Sequence, residues 1–275
     1  MPRGIGKLKE LQMLKGVDIK RSHPRVVEEL TQLRRLRKLG VRNLGKGQYE
    51  KFFASISKLS SLRSLRIGLA ESDTAVASFQ DSVLAPSEYL RSINVDGWIG
   101  KLPAWVCFRY NLAKVSLLNT RLGDDAIGVL EDLPNLLYLR LWNYSYDGAK
   151  LTFQSSKFPK LKTFVAAGLM NLQELLFQEG TMPELRWLWI GNCRLKSGIS
   201  GIDHLAKLGN LGLGWGVYVA NLDLVRKQLE EHPNRPALEV AHPEFQDYYS
   251  GSSSGEPPAD EDYSSINDAE EMENS

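Results

Sequence analysis

A solenoid of stacked strand-and-return units, in the α/β class, is predicted by three features: a recurring leucine, an alternating apolar pair that follows it, and a nearly even spacing between copies. Leucine stands at Leu14, Leu36, Leu62, Leu90, Leu112, Leu136, Leu161, Leu185 and Leu208. Three residues on come Val17, Leu39, Leu65, Ile93, Val115, Leu139, Phe164, Leu188 and Leu211. Two beyond those come Ile19, Val41, Ile67, Val95, Leu117, Leu141, Ala166, Ile190 and Leu213. Every one of these positions is apolar, and successive leucines lie 22 to 28 residues apart. L-x-x-φ-x-φ, with φ apolar, at a period of about 20–29 residues is the pattern of a leucine-rich repeat.

Each φ-x-φ core has period 2, so its apolar side chains point one way and the x residues the other, which predicts a short strand. The rest of each repeat returns with helical or irregular spacing. Ile127, Leu130 and Leu133 follow the turn-like Gly123-Asp124-Asp125 in this way. One unit cannot bury its apolar face alone, so the units stack and their strands form a curved parallel sheet on the concave face of a horseshoe of about nine repeats. At the far end, Asn221 is placed to cap a helix whose Leu222, Val225 and Leu229 share one side and which stops at His232-Pro233.

Charge divides the chain in two. Residues 1–243 carry all 34 Lys and Arg, whereas 244–275 hold ten acids and no base. The repeat domain is therefore expected to span 1–243, and the Ser-, Gly- and Pro-bearing acidic segment 244–275 to be a disordered tail. The start lacks an apolar signal core, and no apolar run approaches the ~20 residues that span a bilayer. The expected location is the cytoplasm. Cys107 and Cys193 are too few for a disulfide framework. Cys193 follows Ile190 by three residues, where such repeats place an inward Asn or Cys, and reads as a core thiol.

Motifs of chemistry are decoys. Gly40 to Lys46 fits G-x-x-x-x-G-K, but Gly47 replaces the Ser or Thr that would hold magnesium, and no helix pattern follows directly. Gly251-Ser252-Ser253-Ser254-Gly255 matches a nucleophile elbow yet lies in the acidic segment, without a strand before it or a helix after it. His23, His204, His232 and His242 lack metal-ligand spacing and are expected to cap or end elements. No enzyme activity, cofactor or metal is expected.

Gly123-Asp124-Asp125-Ala126-Ile127-Gly128-Val129-Leu130-Glu131-Asp132-Leu133-Pro134-Asn135-Leu136, Leu102-Pro103-Ala104-Trp105-Val106 and Phe158-Pro159-Lys160-Leu161-Lys162 resemble the repeat region of plant intracellular nucleotide-binding leucine-rich-repeat immune receptors. The coiled-coil class is the nearest in pattern, and the resemblance covers residues 1 to about 243. It implies a disease-resistance role in which the repeats restrain a nucleotide switch and recognise a pathogen effector or a host protein. The chain departs from that family in containing no true phosphate loop or other nucleotide-domain motif, so alone it is expected neither to bind nor to hydrolyse nucleotide. The resemblance implies a protein partner: an effector, a host target or the nucleotide-binding domain of a receptor. No nucleic acid or membrane partner is expected, and the chain in isolation is expected to be a monomer.

The x residues line the concave face. In the early repeats they include Lys38, Arg42 and Arg66, with Asp18 and Lys20, and this end is mostly basic. In the later repeats they become Tyr138, Arg140, Trp142, Trp187 and Trp189, with Trp215 beyond Leu213. Two readings stand: exposed rings that anchor a partner, or rings that pack on one another and on Arg140. A free-standing repeat scaffold regulating another protein is the alternative to a receptor module.

Overall fold

The computed structural model describes residues 3–70 and 85–240. The chain divides into two units, Met1–Val240 and Ala241–Ser275. Residues 71–84, between Leu62 and Leu90, and the second unit, which includes His242, lie outside the described residues.

The strands in chain order begin with β1 (Met13–Asp18), β2 (Lys38–Leu44), β3 (Ser64–Leu69), β4 (Ser92–Asp96), β5 (Lys114–Leu118), β6 (Tyr138–Trp142), β7 (Lys150–Phe153) and β8 (Thr163–Ala167). They continue with β9 (Glu174–Phe177), β10 (Trp187–Gly191), β11 (Arg194–Leu195), β12 (Gly198–Ser200), β13 (Asn210–Leu213), β14 (Tyr218–Val219) and β15 (Ala237–Val240). Among the described residues ten of them form one sheet in the order β1-β2-β3-β4-β5-β6-β8-β10-β13-β15, every neighbour parallel. The apolar column is in register from Leu39 through Leu65, Ile93, Val115, Leu139, Phe164 and Leu188 to Leu211 and Leu238. The leucines that open the repeats are buried beneath it. Leu238 extends the nine expected copies by a tenth strand.

The first repeat departs from the expected frame. Leu14, not Val17, pairs with Leu39, and Val17 pairs with Val41 across a register shift. One extra residue is absorbed by a bulge at Lys15-Gly16, with Gly16 at φ 71°. Leu14, Val17 and Ile19 are nevertheless all buried, because the bulge turns each of them back inward.

Where the strands end, backbone with positive φ recurs at Asn43, Gly97, Asn119, Asn143, Gly168 and Asn192. Asn and Gly are the residues that reach this region at low cost. The Asn43 Nδ2 donates to Asp18 at 2.9 Å and the Asn119 Nδ2 to Asp96 at 2.8 Å, linking each repeat to the one before. Before the strands a second ladder runs. Asn111, Asn135 and Asn234 donate to the carbonyls of Glu88 (3.0 Å), Tyr110 (2.8 Å) and Ala206 (2.7 Å).

The return paths are helical at α1 (Val26–Leu30), α2 (Tyr49–Ile56), α3 (Asp124–Glu131) and α4 (Leu222–Glu231). Ile127, Leu130 and Leu133 are buried as their spacing required. In the later repeats, however, the back is a second parallel sheet, β7-β9-β12, that pairs Leu151, Leu175 and Ile199. Burial alternates along β7 and β9 with the period of a strand rather than of a helix. Phe153 stands 5.1 Å from Phe177 and 5.2 Å from Phe164, ring centre to ring centre, filling the space between the two sheets.

Asn221 does not cap α4. Its Oδ1 accepts from the Ile199 N–H at 3.0 Å and its Nδ2 donates to the Ile199 carbonyl at 2.7 Å, so the amide pairs both backbone groups of a residue on β12. No side-chain cap is made at the helix start. Val225 and Leu229 are buried as expected, and α4 covers the end of the core.

Candidate recognition surface

Strand pairing sorts the outward residues into three rows that cross the sheet. The first runs Lys38, Ser64, Ser92, Lys114, Tyr138, Thr163, Trp187, Asn210; the second Gly40, Arg66, Asn94, Ser116, Arg140, Val165, Trp189, Gly212; the third Arg42, Gly68, Asp96, Leu118, Trp142, Ala167, Gly191. All eight residues singled out in the sequence therefore lie on the outward face of this sheet. They fall into two separate groups.

The aromatic group is a built surface. Trp142 on β6 and Trp189 on β10 stack across β8, with ring centroids 5.7 Å apart and planes within 5°. Small side chains between them make this possible, since Ala167 stands beside Trp142 in register. Below Trp189 lie Gly191, Gly212 and Gly214, and a Cβ at any of the three would overlap its indole. The ring thus rests flat on bare backbone. Above Trp142 sits the Arg140 guanidinium, 4.2 Å from the ring centre, and beside it the Lys114 ammonium lies 4.8 Å from the Tyr138 ring. Trp142 and Trp189 are half-buried by this packing, whereas Trp187 and Trp215 remain exposed at 38% and 44%. Both readings of the sequence are therefore present in different rings.

A further group was not legible as a site. Arg121, in the turn after β5, places its guanidinium 5.7 Å from the Trp98 ring and 5.9 Å from the Tyr144 ring. Both rings are nearly half exposed. They stand in the turns that follow β4 and β6, past the ends of the strands. Trp98 and Tyr144 both fall three residues past the second apolar position of a repeat, as do inward residues such as Cys193, which hid them among core positions. The glycines beneath Trp189 did carry a signal, since Gly212 occupies an outward x position.

The basic group lies apart. Arg66 on β3 is three strand spacings from β6, about 14 Å, which exceeds the Debye length of about 8 Å at physiological salt. Arg42 faces Asp18, with Nε 3.7 Å from the carboxylate. Desolvation works against the Asp18 charge, but the Arg21 N–H, the Asn43 amide and the Arg42 and Arg21 cations together hold that carboxyl below its ordinary range. Arg42 is thus part of a local network. Lys38 is exposed at the start of β2.

The decoys resolve structurally. Gly40 to Leu44 is strand, and a short 3-10 turn leads directly into α2. The expectation that no helix follows was wrong, because Tyr49, Phe52, Phe53 and Ile56 form a buried helical face. A phosphate loop is still precluded, since Gly40, Val41 and Leu44 are held in a strand paired with β3. Cys193 is buried, its Sγ 3.2 Å from the Gly191 carbonyl, and burial pushes the thiol up to about 11. His204 Nδ1 lies 2.9 Å from the Phe177 carbonyl and the buried His232 Nε2 lies 3.2 Å from that of Leu205, each joining adjacent repeats. Among the described residues no group of His, Cys, Asp and Glu is placed to hold a metal ion, and no helix is long and apolar enough to cross a membrane.

The family model described as "Leucine-rich repeat region" matches residues 1–238. A probable disease resistance RPP8-like protein 4 of Arabidopsis thaliana is 26% identical over 186 residues, 67% of this chain and 20% of its own length. Disease resistance protein RPM1 of the same plant is 24% identical over 220 residues, 80% of this chain and 23% of its own. Disease resistance protein Pik-2 of Oryza sativa subsp. japonica is 28% identical over 199 residues, 68% and 19%. The chain thus spans about a fifth of the length of the curated relatives it matches. Among solved structures, an internalin (inlF) of Listeria monocytogenes aligns over 87% of this chain and 72% of its own at a TM-score of 0.45 and 15% identity. The expected resemblance to the repeat region of plant disease resistance proteins is borne out by these relatives. With its in-register leucine column and a match over nearly all of the folded unit, the chain belongs to the leucine-rich repeat region family.

Proposed function

We infer that this chain is the protein-recognition module of a plant disease resistance receptor, with residues 1–243 as the recognition domain, acting in the cytoplasm. What it recognises is a pathogen effector or a host protein that an effector alters. The carrying observation is the outward aromatic surface: exposed Trp187 beside a Trp142–Trp189 pair whose lower ring is seated on glycine backbone. Exposed tryptophans on a rigid sheet bury much area at little entropic cost, as binding hot spots do. A catalytic reading has no assembled acid, base or nucleophile among the described residues to support it.

The test is site-specific photo-crosslinking in plant tissue challenged with the pathogen. A photoreactive phenylalanine replaces Trp187 in one version and Lys51, on the exposed side of α2, in another. A protein captured at position 187, absent at 51 and absent without the pathogen or its host target, is the expected result. Identical products from both positions would count against the reading.

A further inference from the structure

The charge of this surface and the way its cations are held name the chemistry of the partner. Among the described residues the outward rows carry the cations Lys38, Arg42, Arg66, Lys114 and Arg140, against the carboxylates Asp18, Asp96 and Glu239. Asp18 and Asp96 already accept hydrogen bonds from Asn43 and Asn119. The face is therefore net basic. The four cation–π contacts found among the described residues lie on β5 and β6 and in the turns that follow β4, β5 and β6: Lys114 on Tyr138, Arg140 on Trp142, and Arg121 on both Trp98 and Tyr144. A ring beneath a long cationic side chain restricts its rotamers before any partner arrives, which lowers the entropy lost when the charge is engaged. The exposed Trp187 stands in the same row as Lys114 and Tyr138, two strands from Tyr138.

We propose that Lys114, Arg121 and Arg140, together with Trp98, Tyr144 and Trp187, form one recognition surface for an acidic segment of a protein partner that also carries an aromatic side chain. Its carboxylates meet the ring-held cations, and its aromatic group packs against the exposed Trp187. The surface wraps from the sheet face over the edge where the strands end. A nucleic acid fits less well, because base stacking needs open ring faces, and here cations, a neighbouring ring or the glycine backbone lie against the faces of Tyr138, Trp142 and Trp189.

This rests on the recognition reading above, and the experiment separates the two. Calorimetric titration of the full chain uses four probes: a short peptide of alternating acidic and aromatic residues, the same peptide with Lys for each acid, the same with Ser for each aromatic, and a single-stranded oligouridylate. The acidic aromatic peptide is expected to bind at least about tenfold more tightly than either altered peptide, the margin of a charge-assisted hydrogen bond or two. Its affinity should fall as salt rises from about 0.05 to about 0.5 M. Arg121→Gln and Arg140→Gln should each weaken it several-fold with unchanged melting temperature, and Lys51→Gln on α2 should not. Tighter binding of the lysine peptide or the oligouridylate would overturn the proposal, as would no binding of the acidic peptide or no effect of both arginine variants. If the lysine peptide binds and Trp187→Ala abolishes that binding, the acidic chemistry fails while recognition at this face stands.

Discussion

Trp142 and Trp189 meet across a strand to which neither belongs. Their rings lie 5.7 Å apart and nearly parallel, with β8 and its small Ala167 between them. They are 47 positions apart in sequence, yet the stacking of repeats brings them to one surface and the glycines of β10 and β13 leave room for the lower ring. Trp189 is consequently both floor and face of the candidate site.

This dual role separates two substitutions. Trp187→Ala, at an exposed ring, should change stability by no more than about 0.5 kcal/mol. Trp189→Ala should cost about 1–3 kcal/mol through lost packing, and Gly212→Ala a similar amount by overpacking against the indole. Thermal melts followed by circular dichroism decide the matter. Equal melting temperatures for the two tryptophan variants would show that the glycine seat contributes nothing.

The use of Asn221 as a bridge rather than a cap gives a sharp contrast between Asn221→Asp and Asn221→Ser. A capping position accepts both with little loss. A residue whose Nδ2 must donate to the Ile199 carbonyl while its Oδ1 accepts from the Ile199 N–H accepts neither, and about 1–3 kcal/mol should be lost in each case. Urea unfolding measures this directly, and wild-type stability in the Asp variant would refute the bridge.

Titration should shape stability in two opposed ways. Asp18 is held below its ordinary value of 3.8, and Glu184, paired with Lys207, below 4.5. Their contribution is complete above those values and is lost as pH falls through the lowered ones. Glu131 runs the other way. Burial, partly offset by the Gln154 N–H and Lys157, holds it above 4.5, so it favours the folded state in acid and opposes it as pH rises through the raised value. Asp18→Asn should flatten the acid loss measured by urea unfolding between about pH 7 and pH 3. Glu131→Gln should raise stability near neutrality and steepen the acid loss. Parallel curves for all three proteins would remove these groups from the account.

Covering of the last repeat should be indispensable. Val225 and Leu229 on α4 are buried and β15 pairs the edge of β13. Val225→Asp should therefore expose apolar core and aggregate the protein on expression, since terminal repeats need a polar outer side. A monodisperse peak on size-exclusion chromatography for that variant would contradict it.

The leucine frame determined most of the architecture unaided. A period-2 apolar pair after each leucine can only be buried by strands stacked in parallel, and the register from Leu39 to Leu211 follows from that repetition alone. Which residues face outward followed as well, because alternation along a strand is a local property. Tertiary structure decided what local pattern does not hold. A side chain's fate depends on its neighbours one and two repeats away: whether Trp189 lies flat depends on Gly212 and Gly214, whether Asn221 caps or bridges depends on β12, and whether Arg121 stands beside Trp98 and Tyr144 depends on the turns that follow three different strands. Likewise the bulge at Gly16 and the second sheet of β7, β9 and β12 arise where a short segment's own preference is weak and packing against the adjacent repeat is strong. The sequence thus specified the ladder, and contacts between rungs specified the surface.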